Sequence, residues 1–293
     1  MEYIPAKTIV TKNKDTGWFG ADYSMNIYRG CPHGCIYCDS RSNCYKIENF
    51  DKVRAKENAL SVIRDDLRRK VKKGVIMTGA MSDPYNFFEA GLKLTRHALE
   101  LISAFGFGAA IATKASLVTR DIDILDEIKK HSPVLIKLTI TTFDDGLCKK
   151  IEPNVSLTSE RFLAVEELSK NNIYTGILMM PVLPYINDNE ENILNIVRRA
   201  KESGARFIYP AMGVTLRDGQ REYFYEKING SFDGLAQKYI KQYGNRYTAA
   251  SKNAAKLYYA FKNECEKLGV LYNMRDIIKS YKLGYSDTQL KFF

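Results

Sequence analysis

From residue 23 to residue 212 the sequence repeats one pattern. A short apolar, β-branched run ends in small or polar residues, and an amphipathic helical stretch follows. The runs are YSMNIYRG (23–30), GVIMTGAM (74–81), GAAIATK (108–114), VLIKLTITT (134–142), YTGILMMPV (174–182) and ARFIYPAM (205–212). Between them, apolar residues recur at helical spacing over 52–70, 91–105, 121–131, 158–171 and 189–203. In LTSERFLAVEELSKNN, Thr158 or Ser159 is expected to cap the helix start and Asn171 or Asn172 its end. Strands and helices alternating in this way pair in parallel through right-handed crossovers. That limits the fold to an α/β barrel or an open doubly wound sheet.

The polar residues gather at one end of this arrangement. A cysteine-rich loop follows the first run, SDPYN (82–86) the second, and Thr113–Lys114 end the third. TITTFDD (139–145) ends the fourth and MPVLPYINDN (180–189) follows the fifth. All lie at C-terminal ends of strands, the face on which barrels build active sites. After Met212 the alternation stops. SKNAAKLYYAFKNECEKLG (251–269) reads as a helix among aromatic-rich connections. We therefore expect a core over 1–211 and a basic, mainly helical extension over 212–293 packed on it.

At 293 residues, with 45% apolar and 27% charged residues, the chain has the make-up of a globular protein with a substantial core. Neither a membrane-length apolar run nor a signal-peptide pattern is visible, so a cytoplasmic protein with reduced thiols is expected. The formal charge is +10, and residues 212–293 hold 14 Lys and Arg against 8 Asp and Glu. Such an excess suits an acidic partner such as nucleic acid, and equally a solvated lysine-rich surface.

Three of the six cysteines, Cys31, Cys35 and Cys38, lie within eight positions in NIYRGCPHGCIYCDSRS. Gly30 and Gly34 free the backbone to curl these thiolates around one centre. Soft thiolates select zinc, Cu(I) or an iron–sulfur cluster. Structural zinc takes four closed ligands, and Cys44 could supply the fourth. With three ligands only, one iron of a cubane cluster stays open to a small molecule. His33, inside the loop, is read as a neighbour of the centre or an exposed residue rather than a ligand.

The spacing C-x3-C-x2-C after the first strand, with Tyr37 before the last cysteine, resembles the radical S-adenosylmethionine (SAM) superfamily. GAMSDPYN, ATKASLVTRDIDIL, LTITTFDDGLCKKIEPN and GILMMPVLPYINDNEENI extend the likeness to the spore photoproduct lyase family and its "DNA repair photolyase" relatives, over about residues 20 to 210. The resemblance implies a partial (β/α)6 barrel in which Cys31, Cys35 and Cys38 bind a [4Fe–4S] cluster and SAM chelates the open iron. It further implies one-electron reduction by a flavodoxin- or ferredoxin-type donor, and a 5′-deoxyadenosyl radical that abstracts hydrogen from substrate. Residue by residue, Tyr37 matches the aromatic whose backbone meets the adenine, and Ser82 and Asp83 the motif at the methionyl end. Lys114 is placed to pair with the SAM carboxylate. Thr139 matches a serine at the ribose or methionyl group, and Glu152 a family Glu-Pro.

Two departures bear on the reaction. The lyase's hydrogen-donor cysteine stands three positions before the aspartate, where this chain has Ala80, and its tyrosine after the third cluster cysteine is replaced by Asp39. Cys148 and Cys265 fall outside the matching motif. Three readings follow: a radical SAM enzyme on another substrate, with nucleic acid the leading class; thymine-dimer repair, which the departures disfavour; or a non-catalytic four-cysteine metal protein. No catalytic residue is singled out.

Overall fold

A computed structural model describes residues 1–285. Its main sheet has seven strands: β1 (Val10–Lys12), β2 (Tyr23–Met25), β3 (Val75–Thr78), β4 (Gly108–Thr113), β5 (Val134–Thr139), β6 (Thr175–Met179) and β7 (Phe207–Pro210). Strands β2 to β7 are parallel, in register Tyr23 with Ile76, Ile76 with Ala109, Ala110 with Leu135, Ile136 with Thr175 and Ile177 with Ile208. Strand β1 runs antiparallel to β2 at the edge. Every strand lies next to its predecessor in the chain. A doubly wound sheet reverses its strand order at a switch point, and this one never does. The alternation therefore resolves into a partial barrel of six parallel strands, as the resemblance implies.

Five helices cover the outside: α1 (Ala59–Arg68), α2 (Leu94–Ala104), α3 (Ile122–Lys129), α5 (Thr158–Lys170) and α6 (Glu190–Glu202), with a short α4 (Asp145–Ile151) before α5. Helix α6 shows why they form. Ile193, Ile196, Val197 and Ala200 recur at helical spacing and are buried. The Asn189 side chain caps the start by accepting from the Asn192 N–H at 2.8 Å, with Glu190 and Glu191 in the first turn and Arg199 and Lys201 in the last. These helical stripes pack on Ile76, Ile111, Ile136, Leu138 and Ile177 in one continuous core.

Three sequence expectations shift. The helical pattern over 52–70 splits, because Arg54–Lys56 pairs as a strand with Glu2–Ile4 and Tyr28–Arg29, and Asn58 turns left-handed before α1. The pattern over 91–105 is divided by left-handed Lys93. Helix α5 is capped by neither Thr158 nor Ser159. Leu157 holds the N-cap position with its N–H bonded to the Glu160 carboxylate at 2.6 Å, while the Thr158 hydroxyl donates to the Thr142 carbonyl. At the other end Asn171 is the C-cap, and Asn172 follows in the left-handed region.

The residues after Met212 pack in several places. Helices α7 (Gln220–Ser231) and α8 (Leu235–Tyr243) lie over the cysteine loop, and the pair Gly213–Thr215 and Thr248–Ala250 forms a small antiparallel ribbon. Helix α9 (Ala254–Leu268) joins the outer core through Leu257, Phe261 and Cys265. Leu271 then bonds the free edge of β7, and α10 (Met274–Lys282) brings Ile277 and Tyr281 against the barrel's inner face. There Val75, Ala110, Leu135, Leu178 and Phe207, one from each of β3 to β7, meet Phe19 and α10. Burying an aliphatic or aromatic side chain of this kind is worth roughly 1.5–3 kcal/mol. Trp18 and Phe19 also stack edge-on against Tyr209, at 5.4 and 5.7 Å, and link the N-terminal segment to the last strand.

Alternation along β5 puts Lys137 on the same inner face as Leu135. Lys137 is fully buried, its Nζ has no hydrogen-bond partner, and it sits 4.8 Å from the centre of the Phe19 ring. Burial pushes its pKa down from about 10.5 to about 7. Between those values the unfolded chain holds a proton that the folded chain has released, so this group makes stability rise with pH across that window. Lys137→Met is expected to be more stable than the parent at pH 7 by about 1–4 kcal/mol, a gap that closes toward pH 10. Urea denaturation of both proteins at pH 7, 8.5 and 10 measures it. A pH-independent gap, or a less stable variant, contradicts the assignment.

Candidate active site

The chain leaves β2, passes through Tyr28–Arg29 and turns at Gly30, whose φ is +80°. A Cβ there would stand 2.6 Å from the Phe50 carbonyl, the same oxygen that accepts the Cys31 N–H at 2.8 Å, so only glycine fits. Gly34, also at positive φ, presses against Pro153. The loop is further tied to the end of α4: the Ile36 N–H donates to the Ile151 carbonyl at 3.0 Å, and the Asn154 N–H and side chain donate to the His33 and Pro32 carbonyls. This curl buries Cys31 and Cys35 and half-buries Cys38, all as free thiols.

Burial, with the neighbouring thiols and carboxylates, pushes all three thiols up, Cys31 to about 12. Thiolates are stable here only against a strong positive charge, which a metal centre supplies. Among the described residues no three Cys, His, Asp or Glu side chains converge on one point as a single ion requires. A cluster takes each thiolate on a different iron, and this donor set fits it. Cys44 lies apart in chemistry: it is exposed, its sulfur accepting from Ser42 Oγ at 3.1 Å and facing Arg217 Nη1 at 3.4 Å. Those two contacts pull its pKa down.

The second-strand loop begins at Gly79, where a Cβ would lie 1.8 Å from the Ala112 carbonyl. That close approach brings the Asp83 carboxylate to the end of β4. One oxygen accepts from the Tyr85 N–H at 2.9 Å and Thr113 Oγ1 at 2.6 Å; the other accepts from the Lys114 N–H at 2.8 Å, with His33 Nδ1 at 3.5 Å. Asp83 thus knots three loops together. Ser82 Oγ donates to the Gly30 carbonyl beside Cys31. His33 is buried, and burial pushes its pKa down.

Deeper still lies a buried ion pair. Arg161 Nη2 meets Glu152 Oε2 at 2.5 Å, and the other Glu152 oxygen accepts the Tyr37 hydroxyl. Arg161 also donates to the Thr139 and Ser156 carbonyls, each at 2.7 Å, and Cys148 packs on both charges. Burial would push Glu152 up, but Arg161, Lys114 and the Tyr37 hydroxyl hold its carboxyl below the usual range. Burial likewise works against the Lys114 charge, yet Cys35, Glu152 and Cys38 more than offset it and keep its pKa raised. The Lys114 ammonium stands 5.6 Å from the centre of the Tyr37 ring. Tyr37, Ser82, Asp83, Lys114 and Thr139 are therefore gathered around the cysteine loop.

Arg161 was not foreseen. It sits on the same helical stripe as Thr158, Phe162, Val165 and Leu168, a charged residue in an apolar register, and that was the available signal. Several basic residues of the extension are engaged within the fold. Arg217 pairs with Asp39 at 3.1 Å, Arg221 with Asp218 at 2.7 Å and Lys227 with Glu226 at 2.9 Å, while Lys238 caps the Tyr185 ring. Phe224, Tyr239 and Tyr243 are buried against the cysteine loop's cluster. Cys265 is buried in α9, as expected of a core helix residue.

Removing one partner of a buried pair leaves an uncompensated charge, at about 3–5 kcal/mol. Arg161→Met is expected to lose stability of that size in urea denaturation. Adding Glu152→Gln to it should recover part of the loss. Independent, additive losses would show that the two residues do not act as a pair.

Residues 25–197 match the Radical SAM superfamily. An uncharacterized protein of Methanocaldococcus jannaschii is 36% identical over 175 residues, covering 58% of this chain and 64% of that one. An uncharacterized protein of Mycobacterium tuberculosis is 25% identical over 228 residues, covering 75% and 67%. Among structures, spore photoproduct lyase complexed with dinucleoside spore photoproduct superposes with a TM-score of 0.66 over 92% of this chain and 80% of that one. At 14% identity that likeness is one of fold. The radical SAM methyltransferase TsrM of Kitasatospora setae superposes with a TM-score of 0.55 at 10% identity, over 84% and 51%. The superfamily match runs from β2 through the cysteine loop to α6, more than half of the chain, and the chain therefore belongs to the radical SAM superfamily.

Proposed function

We propose that the protein is a radical SAM enzyme in which Cys31, Cys35 and Cys38 hold a [4Fe–4S] cluster and SAM binds its open iron. The observation that carries this reading is the three-thiol loop, with Cys31 and Cys35 buried and Cys38 half-buried, after the first parallel strand and within the superfamily match. When bound, such a pair supplies one-electron cleavage of SAM and hydrogen-atom abstraction from a substrate. The protein's own part is to position, to screen and to exclude water.

In this reading Lys114 offers its ammonium to the SAM carboxylate, and the Tyr37 backbone meets the adenine while its hydroxyl is fixed by Glu152. Thr139 borders the ribose. Asp83 and Ser82 act by holding the loops, since Asp83 already accepts from Thr113, Tyr85 and Lys114. The substrate lies in the barrel mouth, and nucleic acid is the class we favour because the spore photoproduct lyase it resembles in fold binds a dinucleoside photoproduct. Thymine-dimer reversal is disfavoured. Ala80 stands in the lyase's hydrogen-donor position, and Asp39 is engaged with Thr215, Tyr45 and Arg217. Residues 1–211 would form the catalytic core, with 212–293 as its covering extension.

Anaerobic reconstitution followed by iron and sulfide counting tests the cluster, and conversion of SAM to methionine and 5′-deoxyadenosine tests the chemistry. Replacing Cys31, Cys35 or Cys38 with Ala should abolish both, whereas Cys44→Ala should keep both. Loss of the cluster in Cys44→Ala, with retention in one of the other three, would reverse the ligand assignment. Lys114→Ala should keep the cluster and weaken SAM binding by roughly 10- to 100-fold, the value of a charge-assisted hydrogen bond of about 1.5–3 kcal/mol. Unchanged SAM affinity would remove Lys114 from the binding set.

A further inference from the structure

A cationic cleft lies beside the cysteine loop, and its charged residues are used by none of the assignments above. Its outer part, about 370 Å³, is lined by Ile4, Pro5, Arg29, Lys46, Glu48 and Arg54. Through Arg29 it adjoins an inner part of about 180 Å³ that includes Gly30, Tyr45, Lys56 and Met81. The guanidinium groups are held in place by carbonyls: Arg29 Nη2 donates to Lys46 O at 2.6 Å, and Arg54 Nη2 to Glu48 O at 2.7 Å. Carbonyls fix geometry without neutralising charge. Nearby ion pairs use other residues, Lys52 with Glu2 at 2.5 Å and Arg41 with Asp51. Among the described residues no ion pair takes up Arg29, Lys46, Arg54 or Lys56, and Glu48 is the one carboxylate in the lining. Burial and the nearby Arg29 push Lys56 down in pKa, with a weaker opposing pull from Asp66.

Four cations held together with so little compensation repel one another, and an anionic partner relieves that repulsion. Their place in the chain indicates which partner. Gly30, in the lining of the inner cleft, is bonded directly to Cys31, and its carbonyl is tied to Ser82. Cys31 and Cys35 are buried, so an electron from outside reaches them through the residues that cover them, and the inner cleft reaches the residue bonded to Cys31. We infer that this cleft is the docking surface for a small acidic one-electron carrier protein that reduces the cluster. The inference rests on the proposed function above. In the transfer itself one electron leaves the reduced carrier and one enters the cluster; no bond forms and no proton moves. A nucleic acid is the weaker candidate here, since its phosphates would have to lead toward the barrel mouth, where Arg217, Arg221 and Lys227 are engaged in pairs.

The test uses a flavodoxin, an acidic flavin protein, as the probe. Binding of labelled oxidised flavodoxin is followed by fluorescence anisotropy, on protein with and without reconstituted cluster. Cluster reduction by reduced flavodoxin is followed by stopped-flow absorbance and compared with reduction by dithionite. Lys46→Glu with Lys56→Glu should weaken binding and slow reduction by flavodoxin by at least about tenfold at low salt, and flatten the salt dependence of both. Dithionite reduction and SAM affinity should be unchanged. Lys46→Glu alone, an exposed side chain whose charge is unpaired, should show a smaller loss in the same direction. Unaltered flavodoxin binding, or an equal slowing with dithionite, overturns the inference. So does loss of binding to a single-stranded oligonucleotide with flavodoxin binding retained, which would assign the cleft to nucleic acid. If the parent protein assembles no cluster, the radical SAM reading fails, and the anisotropy measurement without cluster still decides whether the cleft docks the carrier.

Discussion

The ion pair between Glu152 and Arg161 is the contact on which the site depends. Two opposite charges with almost no solvent access are tolerated only if each is fully used. Arg161 spends its donors on Glu152 and on the carbonyls of Thr139 and Ser156, and so locks helix α5 to the end of strand β5. Glu152 uses its second oxygen on the hydroxyl of Tyr37, which lies between Cys35 and Cys38 in the loop. The cysteine loop, which has little regular structure of its own, is thereby anchored to the barrel from beneath. Its glycines let it curl, and the buried pair decides where the curl sits.

The same economy governs the other polar groups on that face. Asp83 collects donors from the end of strand β4 and from its own loop, so that this face is a set of loops fastened to one another as well as to their strands. In the extension, Arg217, Asp39, Tyr45 and Cys44 form a similar surface knot over the first loop. Arg217, Arg221 and Lys227, which look available for a partner in the sequence, are thus engaged within the fold. Another group of cations without ion pairs lies around Arg29 and Arg54, away from any basic run of the sequence.

Lys137 is the exception to this economy. It stands on the barrel's inner face against Phe19 with no partner for its amine, a costly arrangement in a region otherwise filled by Val75, Leu135, Leu178 and Phe207. Its register was readable in VLIKLTI, where it falls between residues that face the helices. What could not be read is that Phe19 and helix α10, from opposite ends of the chain, close over it.

The local sequence determined the six strands, the five covering helices and the clustering of polar residues at one end, because apolar periodicity and loop placement are properties of neighbouring residues. It also determined the three-thiol loop, since its spacing lies within a single turn of chain. Tertiary structure decided the rest. Whether the sheet reverses or curls depends on strand order, which no single segment encodes. The partner of Arg161 lies at the end of another helix, the cap of the barrel joins Phe19 to residues beyond 270, and the cations of the cleft, between Arg29 and Lys56, come together through three short strands. Each of these is a contact between segments whose local patterns are compatible with many neighbours. Only the burial of one apolar core and the pairing of its few internal charges selects among them.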